Sequence, residues 1–219
     1  MDCILNKVFD RVYIIHIDER KDRLVHLQNE ANKINLNYIL FSAWTPKKLN
    51  LRDHALNGRI ACAMSHATIW EECIKDKVNK VLILEDDFII NNNFTERFSI
   101  SWMKAPKDWE ILNFKCNRSS NVFRSKSMGL KNTNPYWMSF KQVIGLMVVG
   151  YTLKGLRKIN GYVNTKNIFE ILSKGDPFDW YLDCEGFYHN RKSYIPKDEY
   201  FTFANIGRSD TEYIKANSY

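Results

Sequence analysis

The 219-residue chain has the length of one domain and too little left over for an independent second one. Its 45% hydrophobic and 14% aromatic residues are ample for a globular core, which excludes general disorder outside about the last ten positions. A net charge of +7 suggests an anionic partner, whether nucleic acid, an anionic membrane surface or a phosphate-bearing small molecule, and does not choose among them.

In chain order, Val12-Tyr-Ile-Ile-His-Ile17 is a short β-branched and aromatic run and predicts a buried strand. Leu24, Leu27, Ala31 and Ile34 then recur at helical spacing, predicting an amphipathic helix over 21–34. A strand is expected over 37–41 and a polar loop carrying Pro46 over 44–56. Asn57-Gly58 precedes a long helix with Ile60, Ala63, Met64, Ala67, Trp70 and Ile74 on one face. Residues 80–84 form another apolar strand that runs directly into Glu85-Asp86-Asp87. A weak helix (95–103), a strand (109–114) and a polar, basic, turn-rich stretch (117–134) follow, the last being the expected mobile flap. Residues 145–153 read as a strand leading into a helix over 154–159, and a short helix covers 167–172. Apolar strands alternating with amphipathic helices predict an α/β domain with a mostly parallel sheet covered on both faces.

The five cysteines are odd in number and lack CxxC spacing, which argues against a zinc ribbon and a dense disulfide framework. Cys62 and Cys73 fall in one apolar helical pattern, where a thiol is expected to act as a small buried hydrophobe. The N-terminus lacks the apolar run of a signal peptide, and the longest apolar run, 143–151, is broken by Gly145 and Gly150 and is too short to span a bilayer. A cytoplasmic protein, soluble or at most peripherally membrane-associated, is expected.

Three consecutive carboxylates at a strand end repel one another and raise each other's pKa, a cost that a divalent cation would offset. Open α/β sheets bind ligands beyond the carboxyl ends of their strands. Strand alternation places Glu85 and Asp87 on one side and Asp86 opposite, and Mg²⁺ or Mn²⁺ takes such oxygen ligands together with substrate phosphates. The bland alternative is a solvated acidic turn. Neither a GxxxxGK[ST] loop nor a GxGxxG after the first strand is present, so a bound diphosphate would be held by metal and side chains. Ser65 and His66 are neighbours on a helix and point about 100° apart, which rules out the usual nucleophile–base geometry.

These segments resemble glycosyltransferase family 25, which includes bacterial lipooligosaccharide galactosyltransferases and collagen hydroxylysine galactosyltransferases. The opening strand and its sequel Asp18-Glu-Arg-Lys-Asp-Arg23 are similar to the family's first motif, with His16 where Asn is usual. Gly58-Arg-Ile-Ala-Cys-Ala-Met-Ser-His66, followed by Trp70, resembles its Gly-x-x-Gly-Cys-x-x-Ser-His helix start, with Ala61 in place of a Gly. Val81 to Asp87 resembles its strand plus Glu-Asp-Asp, Val149-Gly-Tyr151 through Leu156 its Gly-x-x-Ala-Tyr segment, and Asp176-Pro-Phe-Asp-Trp-Tyr-Leu182 its Pro-x-Asp-x-x-Leu segment. Ser209-Asp-Thr-Glu212 is like the ending of collagen-type members.

The resemblance implies a GT-A-type nucleotide-sugar fold with a DxD-like metal site, its nucleotide-binding part over about residues 10–115 and its acceptor side over about 116–219. It implies transfer of a hexose from a UDP-sugar, UDP-galactose before UDP-glucose, to a glycan or hydroxylated protein, with inversion. Asp87, with Glu85, is then the expected ligand of Mn²⁺ (or Mg²⁺), while Glu85 and Asp86 orient the ribose, the sugar or bound water. Asp18, Arg20 and Arg23 are expected near the nucleotide, with Arg23 as a surface residue paired to a helix neighbour the alternative, and Ser65-His66 in the donor pocket. Asp179, among aromatic residues suited to a sugar platform, is the expected base and Asp176 its reserve; Asp179 as a turn cap is the alternative. The basic 115–131 segment is expected at the acceptor site. Two rival classes remain: a metal-dependent nuclease and a non-catalytic glycan-binding module. No nucleic-acid partner is expected on the favoured reading.

Overall fold

The computed structural model describes residues 2–51, 57–115, 129–140, 146–172, 192–204 and 206. The first half is a β–α–β–α–β run: β1 (Arg11–His16), α2 (Lys21–Lys33), β2 (Ile39–Ser42), α3 (Asn57–Lys75) and β3 (Lys80–Glu85), preceded by a short α1 (Ile4–Val8). Both β1–β2 and β1–β3 pair in parallel, with His16 opposite Ser42 and Ile15 opposite Glu85. The carboxyl ends of these three strands therefore meet at one edge of the sheet.

After the acidic turn come β4 (Phe88–Ile90), α4 (Phe94–Met103) and β5 (Ile111–Lys115). They are followed by β6 (Lys131–Asn132), β7 (Trp137–Ser139), β8 (Val148–Thr152), α5 (Leu153–Tyr162), α6 (Ile168–Leu172), β9 (Ser193–Pro196) and β10 (Phe201–Phe203). Among the described residues, eight strands join in the order β2-β1-β3-β8-β5-β9-β7-β6, and β4 and β10 form a separate antiparallel pair. Following the pairings across the large sheet, β8 and β7 run against the other six strands. The sheet is thus mostly parallel in direction, as its alternating pattern predicts, with β8 inserted antiparallel beside β3.

The apolar runs of β1 and β3 have a direct cause: both faces of the sheet are covered, so both sets of alternating side chains are buried. Tyr13, Ile15, Val81 and Ile83 enter one core with the α3, α5 and α6 side chains Trp70, Ile159 and Ile168. Val12, Ile14, Leu82 and Leu84 enter the other with Leu5, Leu27 and Phe98 of α1, α2 and α4. The second core is strongly aromatic, with Phe98 stacked at 5.8 Å on Trp102 and edge-on to Tyr200 at 5.5 Å.

Two glycines allow close approach. A Cβ on Gly155 would lie 2.3 Å from the Glu110 carbonyl oxygen, so α5 packs against the start of β5 only with a bare Cα there. A Cβ on Gly150 would meet the Phe9 ring at 2.8 Å. Thr152 caps α5 by accepting from the Gly155 amide at 3.1 Å.

The expected flap over 117–134 needs a partial correction. Its end folds as β6, which pairs with β7 around a turn in which Asn134 Oδ1 accepts from the Tyr136 and Trp137 amides; residues 116–128 lie outside the described set. No described helix is long and apolar enough to cross a membrane.

Candidate active site

A cavity of about 290 Å³ opens at the carboxyl ends of β1 and β3. Ile15 and Ile17 from the first strand, Ala43 to Pro46 after β2, Gly58, Ala61, Cys62 and Ser65 from α3, Arg23 from α2, and Glu85, Asp86 and Asp87 line it. This is where an α/β sheet of this order binds its ligands.

The three consecutive carboxylates have different surroundings. Asp86 is 4% exposed, and both of its oxygens are engaged. His16 Nδ1 donates to Oδ2 at 2.8 Å and Arg23 Nη1 to Oδ1 at 2.8 Å. Asp86 thus serves as the buried acceptor that fastens β1 and α2 to the acidic turn, with both oxygens occupied by the protein itself. Arg23, expected near the nucleotide or paired at the surface, is buried in this cluster and also reaches within 3.7 Å of Asp87 Oδ2.

Asp87 Oδ1 is buried and has no hydrogen-bond partner among the described residues. Burial foremost, and then the charge of Glu85, push the Asp87 carboxyl up to about 7, against the opposing pull of Arg23. A carboxylate with an orphaned oxygen in an acidic cavity fits a bound cation, which would take the place of the proton. The turn is fixed at the main chain from both sides: the Glu85 amide donates to the Met147 carbonyl at 2.8 Å, and the Ala204 amide donates to the Asp87 carbonyl at 2.7 Å.

Ser65 is fully buried; its hydroxyl donates to the Ala61 carbonyl at 2.9 Å and accepts from the Trp44 amide at 2.9 Å. It holds the post-β2 loop against α3 and borders the cavity. Trp44 is further fixed by its indole N–H, which donates to Thr68 Oγ1 at 2.9 Å, so an aromatic residue of the expected polar loop stands on the cavity wall. His66 is buried beside Glu85, Nε2 to Oε1 3.5 Å.

Asp18 and Arg20 are not brought into the cavity lining. Asp18 accepts from the Ser42 hydroxyl and from Lys48 Nζ, and these contacts hold its carboxyl below the usual range. Arg20 donates to Asp22 and, at 2.8 Å, to the Ile206 carbonyl. Asp176 and Asp179 lie outside the described residues, as does the 209–212 segment.

The fold is GT-A-like, a large and mostly parallel sheet flanked by helices. It is similar to a crystal structure of a glycosyltransferase involved in glycosylating the major capsid of PBCV-1, with a TM-score of 0.54 at 12% identity over 91% of this chain and 95% of that one. The sequence is more specific: residues 9–172 match the model of glycosyltransferase family 25 (LPS biosynthesis protein), and the chain belongs to that family. It is 26% identical to a Haemophilus influenzae protein provisionally named a glycosyltransferase, over 74% of this chain and 61% of that protein. It is 28% identical to procollagen galactosyltransferase 2 of Mus musculus, over 48% of this chain and 20% of that protein. The chain thus matches about three fifths of the bacterial relative and about a fifth of the procollagen one.

Proposed function

We propose that the chain is a metal-dependent hexosyltransferase domain that takes a UDP-sugar, galactose before glucose, and transfers the sugar with inversion to a glycan or hydroxylated protein. Asp87 carries this reading, as a mostly buried carboxyl with an unsatisfied oxygen, held near neutrality, in a cavity at the ends of parallel strands. Membership in family 25 and the procollagen galactosyltransferase relative support the reaction class and the hexose.

Asp87 and Glu85 would hold Mn²⁺ or Mg²⁺. When bound, the ion would neutralise charge on the departing diphosphate as a Lewis acid. Trp44, Pro46, Ile15 and Ile17 give the cavity an apolar wall of the kind that accepts a nucleobase. Arg23, tied to Asp86, sets a positive charge beside Asp87 and keeps the acidic turn in place. Asp18 and Arg20 flank this region. Residues 10–115 would bind the nucleotide, and the remainder, with the basic 115–131 segment, would receive the acceptor. In the transfer, the acceptor hydroxyl gives its proton to Asp179, with Asp176 in reserve, as its oxygen bonds to the anomeric carbon. The bond from that carbon to the diphosphate breaks, and its electron pair leaves with UDP.

The test is release of free UDP across a panel of UDP-sugars with Mn²⁺ or with EDTA. Release should be greatest with UDP-galactose, fall to background in EDTA, and drop by about 10² or more in Asp87→Asn, as loss of several kcal/mol of charge stabilisation requires. Undiminished turnover in chelator or in the variant would overturn the metal chemistry. Glycan binding without any UDP release at high protein concentration would instead mark a non-catalytic module.

A further inference from the structure

On the α3 wall of the cavity, three side chains of different chemistry converge. Cys62 Sγ lies 3.7 Å from Glu85 Oε1, and His66 Nε2 lies 3.5 Å from the same oxygen. One ligand atom from each of the three residues lies within 4.8 Å of the other two. His66 is 0% exposed, yet neither ring nitrogen has a hydrogen-bond partner among the described residues. Burying an imidazole this way is costly unless something satisfies it. Cys62 and His66 stand four apart on α3 and so share a face, aimed at the end of β3.

We propose that Cys62, His66 and Glu85 form a binding site for a soft divalent cation of the zinc type, distinct from the oxygen-ligand site assigned to Asp87. Zinc takes sulfur at about 2.3 Å and imidazole nitrogen or carboxylate oxygen at about 2.0–2.2 Å, so the edges of its tetrahedron run about 3.3–3.6 Å. The two edges to Glu85, 3.7 and 3.5 Å, fall at or just beyond that range. A thiolate and an imidazole select zinc-like ions over Mn²⁺ or Mg²⁺, which prefer all-oxygen sets. Three protein ligands leave a fourth position for water or a cavity ligand, since Cys62 and Glu85 both line the cavity. On binding, the Cys62 thiol loses its proton to solvent and the sulfur donates its pair to the ion, with no change of oxidation state. Because Glu85 belongs to both sets, loading this site withdraws a carboxylate from the acidic turn, making zinc an antagonist of the hard-cation site.

The site is tested optically, which keeps its outcome separate from that of the transferase reading. Metal-free protein is titrated with Co²⁺ as the spectroscopic stand-in. One equivalent should produce a thiolate-to-cobalt charge-transfer band and intense tetrahedral visible bands. Stoichiometric Zn²⁺ should erase them, whereas a tenfold excess of Mn²⁺ should not. Loss of an outer-sphere partner alone costs 10–100-fold in affinity, so Cys62→Ser and His66→Gln should each weaken binding at least about tenfold, with the charge-transfer band gone in Cys62→Ser. Cys73→Ser should retain it. Should either ligand variant fail to fold, the native protein still decides: Zn²⁺ should protect Cys62 from iodoacetamide, read by peptide mass spectrometry. Absence of the thiolate band in the native protein, its survival in Cys62→Ser, or unprotected Cys62 in saturating Zn²⁺ would overturn the proposal.

Discussion

Asp86 and Asp87 are adjacent, yet folding treats them oppositely, and the difference can be measured. Asp87 titrates near 7 in the folded chain and near 4 once unfolded. The folded state therefore holds the proton more tightly, and stability should fall as pH rises from about 4 to about 7 and then level off. Asp87→Asn removes this penalty. In chelator at pH 8 it should raise Tm by about 2–4 °C or more, corresponding to at least about 1 kcal/mol at this size, with little change at pH 4. Mn²⁺ should stabilise the parent at pH 8 and progressively less below pH 7, as protons reclaim the carboxyl. Asp86→Ala should do the reverse of Asp87→Asn. It strands Arg23 and His16 in a buried site and should cost about 3–5 kcal/mol in urea unfolding. Glu85 and Asp87 are legible in the sequence because a carboxylate run directly ends an apolar strand. The His16–Asp86 pair is not, since it joins residues 70 positions apart. Cys62, expected as a buried small hydrophobe, is instead half-buried on the cavity wall, and its spacing of four from His66 is the legible clue.

At the scale of elements, α5 shows that a helix propensity can be reversed by a neighbour. Gly→Ala within a helix ordinarily gains about 0.5–1 kcal/mol. Gly161→Ala should follow that rule, because nothing lies within 4 Å of the added carbon. Gly155→Ala should instead lose about 1–3 kcal/mol, since its Cβ would meet the rigid Glu110 carbonyl at 2.3 Å. Chemical denaturation of the two variants, on one helix and with one chemistry, should give opposite signs. The same contrast explains what the sequence could reveal of the fold. β1, α2, α3, β3 and the β8–α5 pair have long periodic or apolar runs that need no partner to be read. β4, β7, β9 and β10 are three or four residues long, too short for a period to register, and exist through pairings such as Phe203 with Phe88. Antiparallel β8 could not be foreseen either, because a strand buried on both faces reads as apolar whichever way it runs.

For the molecule as a whole, the family match ends at residue 172, but the sheet does not. β9 lies between β5 and β7, pairing parallel with one and antiparallel with the other. A chain ending at residue 191 would therefore lose the strand that joins the β6–β7 hairpin to the sheet, and also Tyr200 and Phe201 from the aromatic core. Such a chain should lack the sharp thermal transition that circular dichroism is expected to record for residues 1–219. The tie between the Ala204 amide and the Asp87 carbonyl carries this dependence into the acidic turn. Ribosomes make the carboxylates well before β10 and the Ala204 amide that fastens them. Until those residues emerge, the nascent polypeptide holds a half-built sheet edge and an untethered cluster of negative charge, so competence waits on a segment far along the chain.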